Sequence, residues 1–257
     1  VGRDAFGAFL RSTLVSQGVD TAGLVETDQA PTTLAVVSVD STGERSFQFY
    51  RKPGADICLE ETMLDKSLLD SAKILHFGSV SLTADPSRAA TMAAVRYAKV
   101  RGALITYDPN YRANLWQDEE TAVKAMRRPL PLVDVVKISG EETALLSGFS
   151  DPEEAAEALE AQGIPLVLVT LGADGVLYRF RGKTGRVSGF ATKVADTNGA
   201  GDTFFGAVLS ALTEKSLVEL EEEELREILK LANCAASITT IWGYTMTSRP
   251  MLTFAPC

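Results

Sequence analysis

The chain has 257 residues, of which 46% are hydrophobic, so it is long and apolar enough to bury one large core. It carries 25 basic and 34 acidic residues, for a formal net charge of −9, which argues against a broad nucleic-acid-binding or anionic-membrane-binding surface. The three cysteines, Cys58, Cys234 and Cys257, fit neither a disulfide framework nor a zinc site, so we expect a reducing, cytoplasmic location.

The first fifty residues predict a helix followed by a β-hairpin. Apolar side chains at helical spacing over 4–17 indicate an amphipathic helix. Two strand-like runs follow at 33–39 and 46–50, and a turn-rich connector joins them. From the residues alone, an edge hairpin whose Phe47 and Phe49 face the core is the simplest interpretation.

Strands and helices alternate from residue 60 onward. Short apolar runs predict strands at 74–77, 103–107, 133–137 and 166–170, with helical stretches between them. This alternation predicts a parallel sheet covered on both faces. Two helices are expected to start at Asp–Pro pairs, with Asp85 and Asp151 as the capping residues. His76, flanked by apolar strand residues, is expected in the core.

Polar motifs follow these strands where each strand ends. They are Gly78-Ser79, Asp108 to Arg112, Ser139 to Glu142, and Thr170 to Gly172. Open parallel sheets bind their ligands at the carboxyl ends of the strands. The positions of the motifs therefore predict a single active cleft.

A glycine-rich turn at 196–203 precedes a run of good helix formers. Gly199 and Gly201 are separated by one small residue, which lets backbone N–H groups at a helix N-terminus face a bound anion. Asp202 would then lie in the first helical turn, where a carboxylate beside a phosphate accepts a proton from an attacking hydroxyl. The alternative from the residues alone is a Gly-rich helix start with Asp202 as its N-cap.

Longer strings of residues carry a family resemblance. The string Asp-Thr-x-Gly-Ala-Gly-Asp-Thr-Phe-x-Gly at 196–206 resembles the signature of the ribokinase-like (PfkB) carbohydrate kinases. The segments Asp108 to Trp116 and Phe49 to Asp56 resemble the corresponding segments of fructokinases. The resemblance runs from Val1 to about Thr240.

This resemblance implies an α/β fold, a ribokinase-like three-layer sandwich with a mostly parallel central sheet and a small β lid. The expected domains are a nucleotide- and substrate-binding core at 1–30 and 55–257, and a lid hairpin at 31–54. In fructokinase-like relatives, a segment similar to 1–7 follows an opening portion that grips the sugar. We therefore expect an N-terminal portion to be missing from this chain.

The implied activity is ATP-dependent transfer of the γ-phosphate to a primary hydroxyl of a sugar, with D-fructose expected. The residues implied in catalysis are Asp202, Gly199, Ala200, Gly201 and Arg112. Asp202 is expected to act as the base, and the glycine-loop amides to receive the developing negative charge. Arg112 is expected to contact the transferring phosphate, or else to be a structural arginine that ties Asp108 at the strand end.

The resemblance also assigns binding residues. Those expected to bind the nucleotide are Lys137, Ser139, Thr170, Gly172, Gly175 and Asn233. Those expected to bind the sugar are Phe49, Arg51 and Asn110. Glu142, with Glu141 as its competitor, is expected to support Mg²⁺ through water. Asp196 and Asn198 are expected to form half of a monovalent-cation (K⁺) site, whose other half falls in a tail at 240–249 that differs from the family pattern.

Purely structural roles remain as alternatives for several of these residues. Lys137 and Glu142 fit simple helix-start charges, 170–175 fits an ordinary hairpin turn, and Asn233 fits close helix packing. Two alternative functions also remain: a 2-keto-3-deoxygluconate (sugar-acid) kinase, and a non-catalytic nucleotide-binding fragment. We expect no nucleic-acid or membrane partner, and a homodimer formed through the lid.

Overall fold

The computed structural model describes residues 1–39 and 45–241. The connector at 40–44 and the segment 242–257 lie outside the described residues, as do the side chains of 37–39 and 45–47. The interpretations of Phe47 and Cys257, and of the tail beyond residue 241, therefore fall outside them.

Helices and strands alternate along the described chain as the sequence predicts. The helices are α1 (Ala5–Ser16), α2 (Lys66–Ser71), α3 (Ser87–Val100), α4 (Glu119–Arg127), α5 (Thr143–Ser147), α6 (Pro152–Ala161), α7 (Ala200–Leu212) and α8 (Glu222–Ile241). The strands are β1 (Leu34–Val39), β2 (Arg45–Tyr50), β3 (Ile74–Gly78), β4 (Leu104–Asp108), β5 (Val135–Ser139), β6 (Leu166–Thr170), β7 (Val176–Phe180) and β8 (Lys183–Val187). The α/β class is confirmed.

The chain divides into two compact units. The first unit comprises Val1–Ile105 and Pro109–Leu132, and the second comprises Thr106–Asp108 and the described residues from Val133 onward. Strand β4 contributes to both. The assignment of 31–54 as a lid on a core stays a prediction, since the hairpin is part of the first unit.

In the first unit, helix α1 begins where the sequence predicts because Asp4 caps it. Asp4 Oδ1 accepts the Gly7 N–H at 2.8 Å, and Oδ2 accepts the Thr32 N–H at 2.7 Å. These backbone hydrogen bonds, the one from Thr32 foremost, hold the pKa of Asp4 below its usual value. Gly7 also lies too close to Gly2 for a side chain, since its Cβ would be 2.1 Å from Gly2 O. Helix α1 is thus fastened to the segment that leads into β1.

Strands β1 and β2 confirm the predicted hairpin. They pair in antiparallel register, with Leu34 opposite Tyr50 and Val36 opposite Gln48. Among the described strands they form a two-stranded sheet of their own. The interpretation as an edge hairpin of the larger sheet is therefore wrong.

Strand β3 ends beside the loop that follows β4. The Leu104 N–H donates to Lys73 O at 2.9 Å, and the Ser79 N–H donates to Pro109 O at 3.0 Å. The expectation that His76 lies in the core is wrong, because His76 is exposed. Side chains alternate along a strand, and Phe77 occupies the buried face.

The start predicted for α3 is also wrong. The helix begins at Ser87, and no side-chain hydrogen bond caps it. The Asp85 carboxylate is paired with the Arg88 guanidinium. By contrast, Asp151 caps α6 as predicted and accepts the N–H groups of Glu153 and Glu154.

The second unit holds the sheet that carries most of the candidate site residues. Within it, β4, β5 and β6 pair in parallel, and β7 and β8 extend the sheet in antiparallel register. The core positions of the parallel strands are fully buried; they include Val135, Val136, Ile138 and all residues from Leu166 to Val169. Burial of successive residues means that both faces of these strands are covered.

Helices α7 and α8 complete the second unit. Helix α7 buries Phe204, Phe205 and Val208, and α8 buries Leu225 and Leu229. In the described part of the chain, no helix combines the length and the apolar composition that crossing a membrane requires.

Candidate active site

The glycine-rich turn forms the N-terminus of α7, as the sequence predicts. Gly199 is the N-cap residue and has φ 73° and ψ 3°, a left-handed conformation that glycine adopts without strain. Asp202 is exposed and is the third residue of the helix. The alternative in which Asp202 is the N-cap is therefore wrong.

The first backbone N–H groups of α7 differ in their hydrogen bonding. The Ala200 N–H donates to Thr197 O at 3.2 Å, so it is engaged within the turn. The N–H groups of Gly201 and Asp202 follow at the head of the helix, where backbone donors have no intrahelical partner. A bound anion there would meet these donors and the positive end of the helix dipole.

A buried ion pair lies beneath this turn. Lys137, the third residue of β5, donates from Nζ to Asp108 Oδ2 at 2.8 Å, and the side chains are only 8% and 6% exposed. Lys137 Nζ is also 3.0 Å from the position that a Cβ on Gly201 would take. The ammonium group therefore lies directly against the backbone of the glycine turn, and Gly201 leaves room for it.

The environment of Asp108 disfavours the ionised form of its carboxyl group and raises its pKa. Burial raises the pKa of Asp108, the Lys137 ammonium opposes that rise, and the charges of Glu142 and Asp202 add to it. Asp108 Oδ1 is buried and has no hydrogen-bond partner among the described residues. The sequence analysis identified the polar motif from Asp108 to Arg112, but it did not predict a site role for Asp108 itself.

A second buried carboxylate follows the end of β5. Glu142 Oε2 accepts the Ser139 N–H at 2.9 Å, and Glu142 is 7% exposed, whereas Glu141 is exposed. Burial raises the pKa of Tyr107, and the charges of Glu142 and Asp108 add to that rise. The predicted role of Glu142 toward Mg²⁺ stays a prediction.

A cavity of about 460 Å³ opens beside the head of α7. Six of the residues that line it are Gly172, Phe190, Thr197, Ala200, Asn233 and Thr240. Its volume suits a small organic ligand of nucleoside size. The structure thus brings together Gly172 and Asn233, two of the predicted nucleotide-binding residues, with the glycine turn.

The lining of this cavity includes Asn233 and Gly172 but not Lys137, Ser139, Thr170 or Gly175. The Thr170 hydroxyl donates to Ile138 O at 3.3 Å. The Asn233 side chain donates from Nδ2 to Val187 O at 3.0 Å and to Ser188 O at 3.1 Å, which fixes the start of the loop after β8. That loop supplies Gly189 to Thr192 and Val194 to the cavity wall, residues that the sequence gave no reason to select.

Gly175 has a steric role that yields a stability prediction. It has φ +92°, and a Cβ there would lie 2.2 Å from Val187 O and 2.4 Å from Gly189 N. Gly163 has a similar φ of +97° but has open space around it. We expect Gly175→Ala to lower the free energy of unfolding by roughly 1–3 kcal/mol more than Gly163→Ala, because only Gly175 adds a backbone clash to the strain. Urea denaturation of both variants measures this difference, and equal losses would contradict it.

The predicted monovalent-cation residues form a tight turn. Asp196 Oδ1 accepts the Asn198 N–H at 2.7 Å, and the N–H groups of Ala195 and Asp196 donate to Thr240 O at 2.8 and 3.1 Å. The end of α8 therefore holds the segment that leads into the glycine turn. The other half of the predicted site lies outside the described residues, so this site stays a prediction.

The predicted sugar residues, and Arg112, belong to the first unit. Phe49 is half-buried, and Asn110 adopts a left-handed conformation with φ 50°, which is uncommon outside glycine. Arg112 donates to Tyr111 O at 3.0 Å. Arg51 is engaged inside the first unit by three residues, a contact set that the sequence did not predict. Sugar contacts by these residues stay predictions.

A glycine-capped helix N-terminus, an exposed acid in its first turn and a nucleoside-sized cavity beside it are the features expected of an α/β nucleotide-dependent phosphotransferase. A family model described as pfkB family carbohydrate kinase matches residues 1–250. The chain belongs to this family, and the predicted family and ribokinase-like fold are confirmed.

Similar proteins include plant and bacterial fructokinases. The chain is 40% identical over 244 residues to the probable fructokinase-5 of Arabidopsis thaliana, covering 94% of this chain and 75% of that protein. It is 40% identical over 241 residues to fructokinase-2 of Solanum lycopersicum, covering 93% and 74%. The fructokinase of Xylella fastidiosa with bound ATP superposes with a TM-score of 0.90 at 32% identity, covering 97% of this chain and 80% of that one. The fructokinase of Vibrio cholerae O395 with fructose, ADP and calcium gives 0.85 at 35% identity, covering 96% and 80%.

Proposed function

We propose that this protein is a fructokinase that transfers the γ-phosphate of ATP to a primary hydroxyl of D-fructose. The observation that carries the proposal is the exposed carboxylate of Asp202 in the first turn of a helix whose N-cap is Gly199. The similarity to fructokinases over more than nine-tenths of the chain supports the choice of sugar.

In this proposal Asp202 removes the proton from the sugar hydroxyl. The hydroxyl oxygen then forms a bond to the γ-phosphorus while the bond to the β–γ bridging oxygen breaks, and ADP leaves with the electron pair. The N–H groups of Gly201 and Asp202 stabilise the charge on the phosphoryl oxygens. The Lys137 ammonium, whose charge Asp108 compensates, lies against Gly201 and helps to hold the turn in place.

The cavity beside α7 is proposed to hold the nucleoside part of ATP, with Gly172 and Asn233 in its wall. Mg²⁺ neutralises phosphate charge when it is bound, and the buried Glu142 carboxylate would support it through water. We also propose that Asp196 and Asn198 contribute to a K⁺ site.

One contact favours a neutral sugar over a sugar acid. The Arg51 charge is compensated by Asp56 within the first unit, so Arg51 is not a spare cation for a substrate carboxylate. Fructose carries no carboxylate, so its binding does not require a spare cation. This leaves 2-keto-3-deoxygluconate as the substrate to be tested against it.

The test is an ADP-release assay with three parallel reactions. We expect release to be stimulated by fructose and not by 2-keto-3-deoxygluconate or by buffer alone. Stimulation by the sugar acid alone would identify the alternative kinase. ATP binding without release in any reaction would identify a non-catalytic nucleotide-binding protein.

Cytoplasmic location and a homodimer complete the proposal. The β1–β2 sheet exposes Val36 by 46% and Tyr50 by 57%, and a two-stranded sheet has unpaired edges that a second copy could pair with. Light scattering after size exclusion distinguishes a dimer from a monomer. Substitution of Val36 by Lys is expected to favour the monomer.

A further inference from the structure

An ion pair between a buried guanidinium and a partly exposed carboxylate holds the base of the hairpin. Arg51, the first residue after β2, has a side chain that is only 8% exposed. Its Nε donates to Asp56 Oδ2 at 2.7 Å and its Nη2 lies 2.5 Å from the same oxygen. Nη1 donates to the Thr83 hydroxyl at 2.7 Å, and Nη2 donates to Val80 O at 3.0 Å. The three nitrogens thus engage two segments of the first unit besides the end of β2, namely Asp56 and the turn at Val80 and Thr83.

Asp56 joins the other strand to this network. Its Oδ1 accepts a short hydrogen bond from the hydroxyl of Thr33, the residue just before β1. Although burial raises the pKa of Asp56, the hydrogen bonds from Arg51 and Thr33 lower it overall, so the carboxylate stays ionised. Gly54 permits the close approach, since a Cβ there would be 2.2 Å from Thr33 Oγ1.

The network therefore ties both ends of the hairpin to the end of β3. Thr33 leads into β1 and Arg51 follows β2, so one carboxylate–guanidinium pair fixes where the hairpin begins and ends. Val80 and Thr83 belong to the turn that follows β3. The Ser79 N–H, in the same turn, donates to Pro109 O, next to Asn110 with its left-handed φ of 50°.

We propose that Arg51 and Asp56 are positioning residues that set the hairpin on the turn after β3 and thereby position Phe49, a predicted sugar-binding residue of the same unit. The proposal rests on the proposed sugar kinase function. It replaces a direct contact between Arg51 and the sugar by an indirect role, in which Phe49 on β2 and Asn110 after β4 depend on the same network. The planar guanidinium is required because a lysine has one nitrogen for three acceptors.

Substitution at Asp56 separates the two roles of Arg51. If Arg51 only positions the hairpin, Asp56→Asn and Arg51→Lys both raise the KM for fructose, on the order of tenfold, while kcat changes less than about threefold. If Arg51 contacts the sugar, Asp56→Asn leaves Arg51 freer to bind, so the KM stays unchanged or falls. A KM that is unchanged or lower in Asp56→Asn would overturn the proposal.

Two further variants guard against a loss of folding. Thr83→Val removes one acceptor without touching the charge pair, and we expect a smaller rise in KM in the same direction. Arg11→Lys is the matched control, because Arg11 in α1 binds Glu26, Thr21 O and Leu24 O in a comparable network away from the hairpin. We expect Arg11→Lys to leave the KM unchanged. An equal rise in Arg11→Lys would mean that general destabilisation, and not the hairpin, explains the effect.

Amide hydrogen exchange tests the proposal independently of activity. We expect Asp56→Asn and Arg51→Lys to speed exchange in β1 and β2, and Arg11→Lys not to do so. If the wild-type chain shows no fructose-stimulated ADP release, the proposed function fails while this exchange pattern still tests the network. Unchanged exchange in β1 and β2 in both hairpin variants would overturn the positioning role.

Discussion

Asp202→Asn is expected to lower kcat with fructose by roughly 10²–10⁴-fold, the range for loss of a positioned general base. Asparagine keeps the shape of the side chain but has a far weaker affinity for a proton. Asp202 is exposed and caps nothing, so folding should be unaffected. Because the helix amides and the cavity beside α7 remain, we expect ATP affinity to change little, as measured by calorimetry.

The control for Asp202→Asn is Glu223→Gln. Glu223 is also an exposed acid, and it also lies in the first turn of a helix of the second unit, α8. We expect this variant to retain full kcat. Near-normal turnover in Asp202→Asn would remove the base assignment, and a comparable loss in both variants would point to a nonspecific effect of charge.

Elements with strong local signals were predictable from the sequence. The Asp4-capped helix α1, the β1–β2 hairpin and the buried parallel strands each depend on periodicity or capping within a short segment. The glycine turn before α7 was predictable for the same reason, since Gly199 supplies a backbone conformation that other residues rarely adopt.

Features that depend on distant partners were not predictable. Asp85 and Asp151 precede proline in the same way, yet of the two only Asp151 is the N-cap of a helix, and Asp85 is paired with Arg88. The sequence predicts that Lys137 binds phosphate and that Arg51 binds the sugar. It could not show that each of them is paired with an acid inside its own unit. A motif shows that a positive charge is present. The carboxylate that compensates this charge can come from a distant part of the chain, so only the fold identifies it.

Lys137→Met is expected to lower the free energy of unfolding by about 3–5 kcal/mol at pH 7, because it leaves the buried Asp108 carboxylate without a counter-charge. The double variant Lys137→Met with Asp108→Leu removes both charges, so we expect it to recover much of the loss. Urea denaturation of the wild type, both single variants and the double variant gives the coupling between the two residues.

The dependence of this loss on pH follows from the raised pKa of Asp108. A carboxyl group whose pKa is higher in the folded chain than in the unfolded chain binds more protons when folded, so its contribution to stability falls as pH rises through the interval between the two values. In Lys137→Met the acid protonates more readily still, and a neutral carboxyl needs no ammonium beside it. The loss caused by Lys137→Met should therefore shrink as the pH is lowered from 7 toward the acid range.

Lys183→Met supplies the comparison for this pair. Lys183 also donates to a carboxylate at 2.7 Å, that of Glu222, but its side chain is 68% exposed against 8% for Lys137. Water solvates both exposed partners after the pair is broken, so we expect little measurable change in stability at any pH. If Lys183→Met and Lys137→Met destabilise the protein equally, burial is not the cause, and Asp108 carries no special charge requirement beneath the glycine turn.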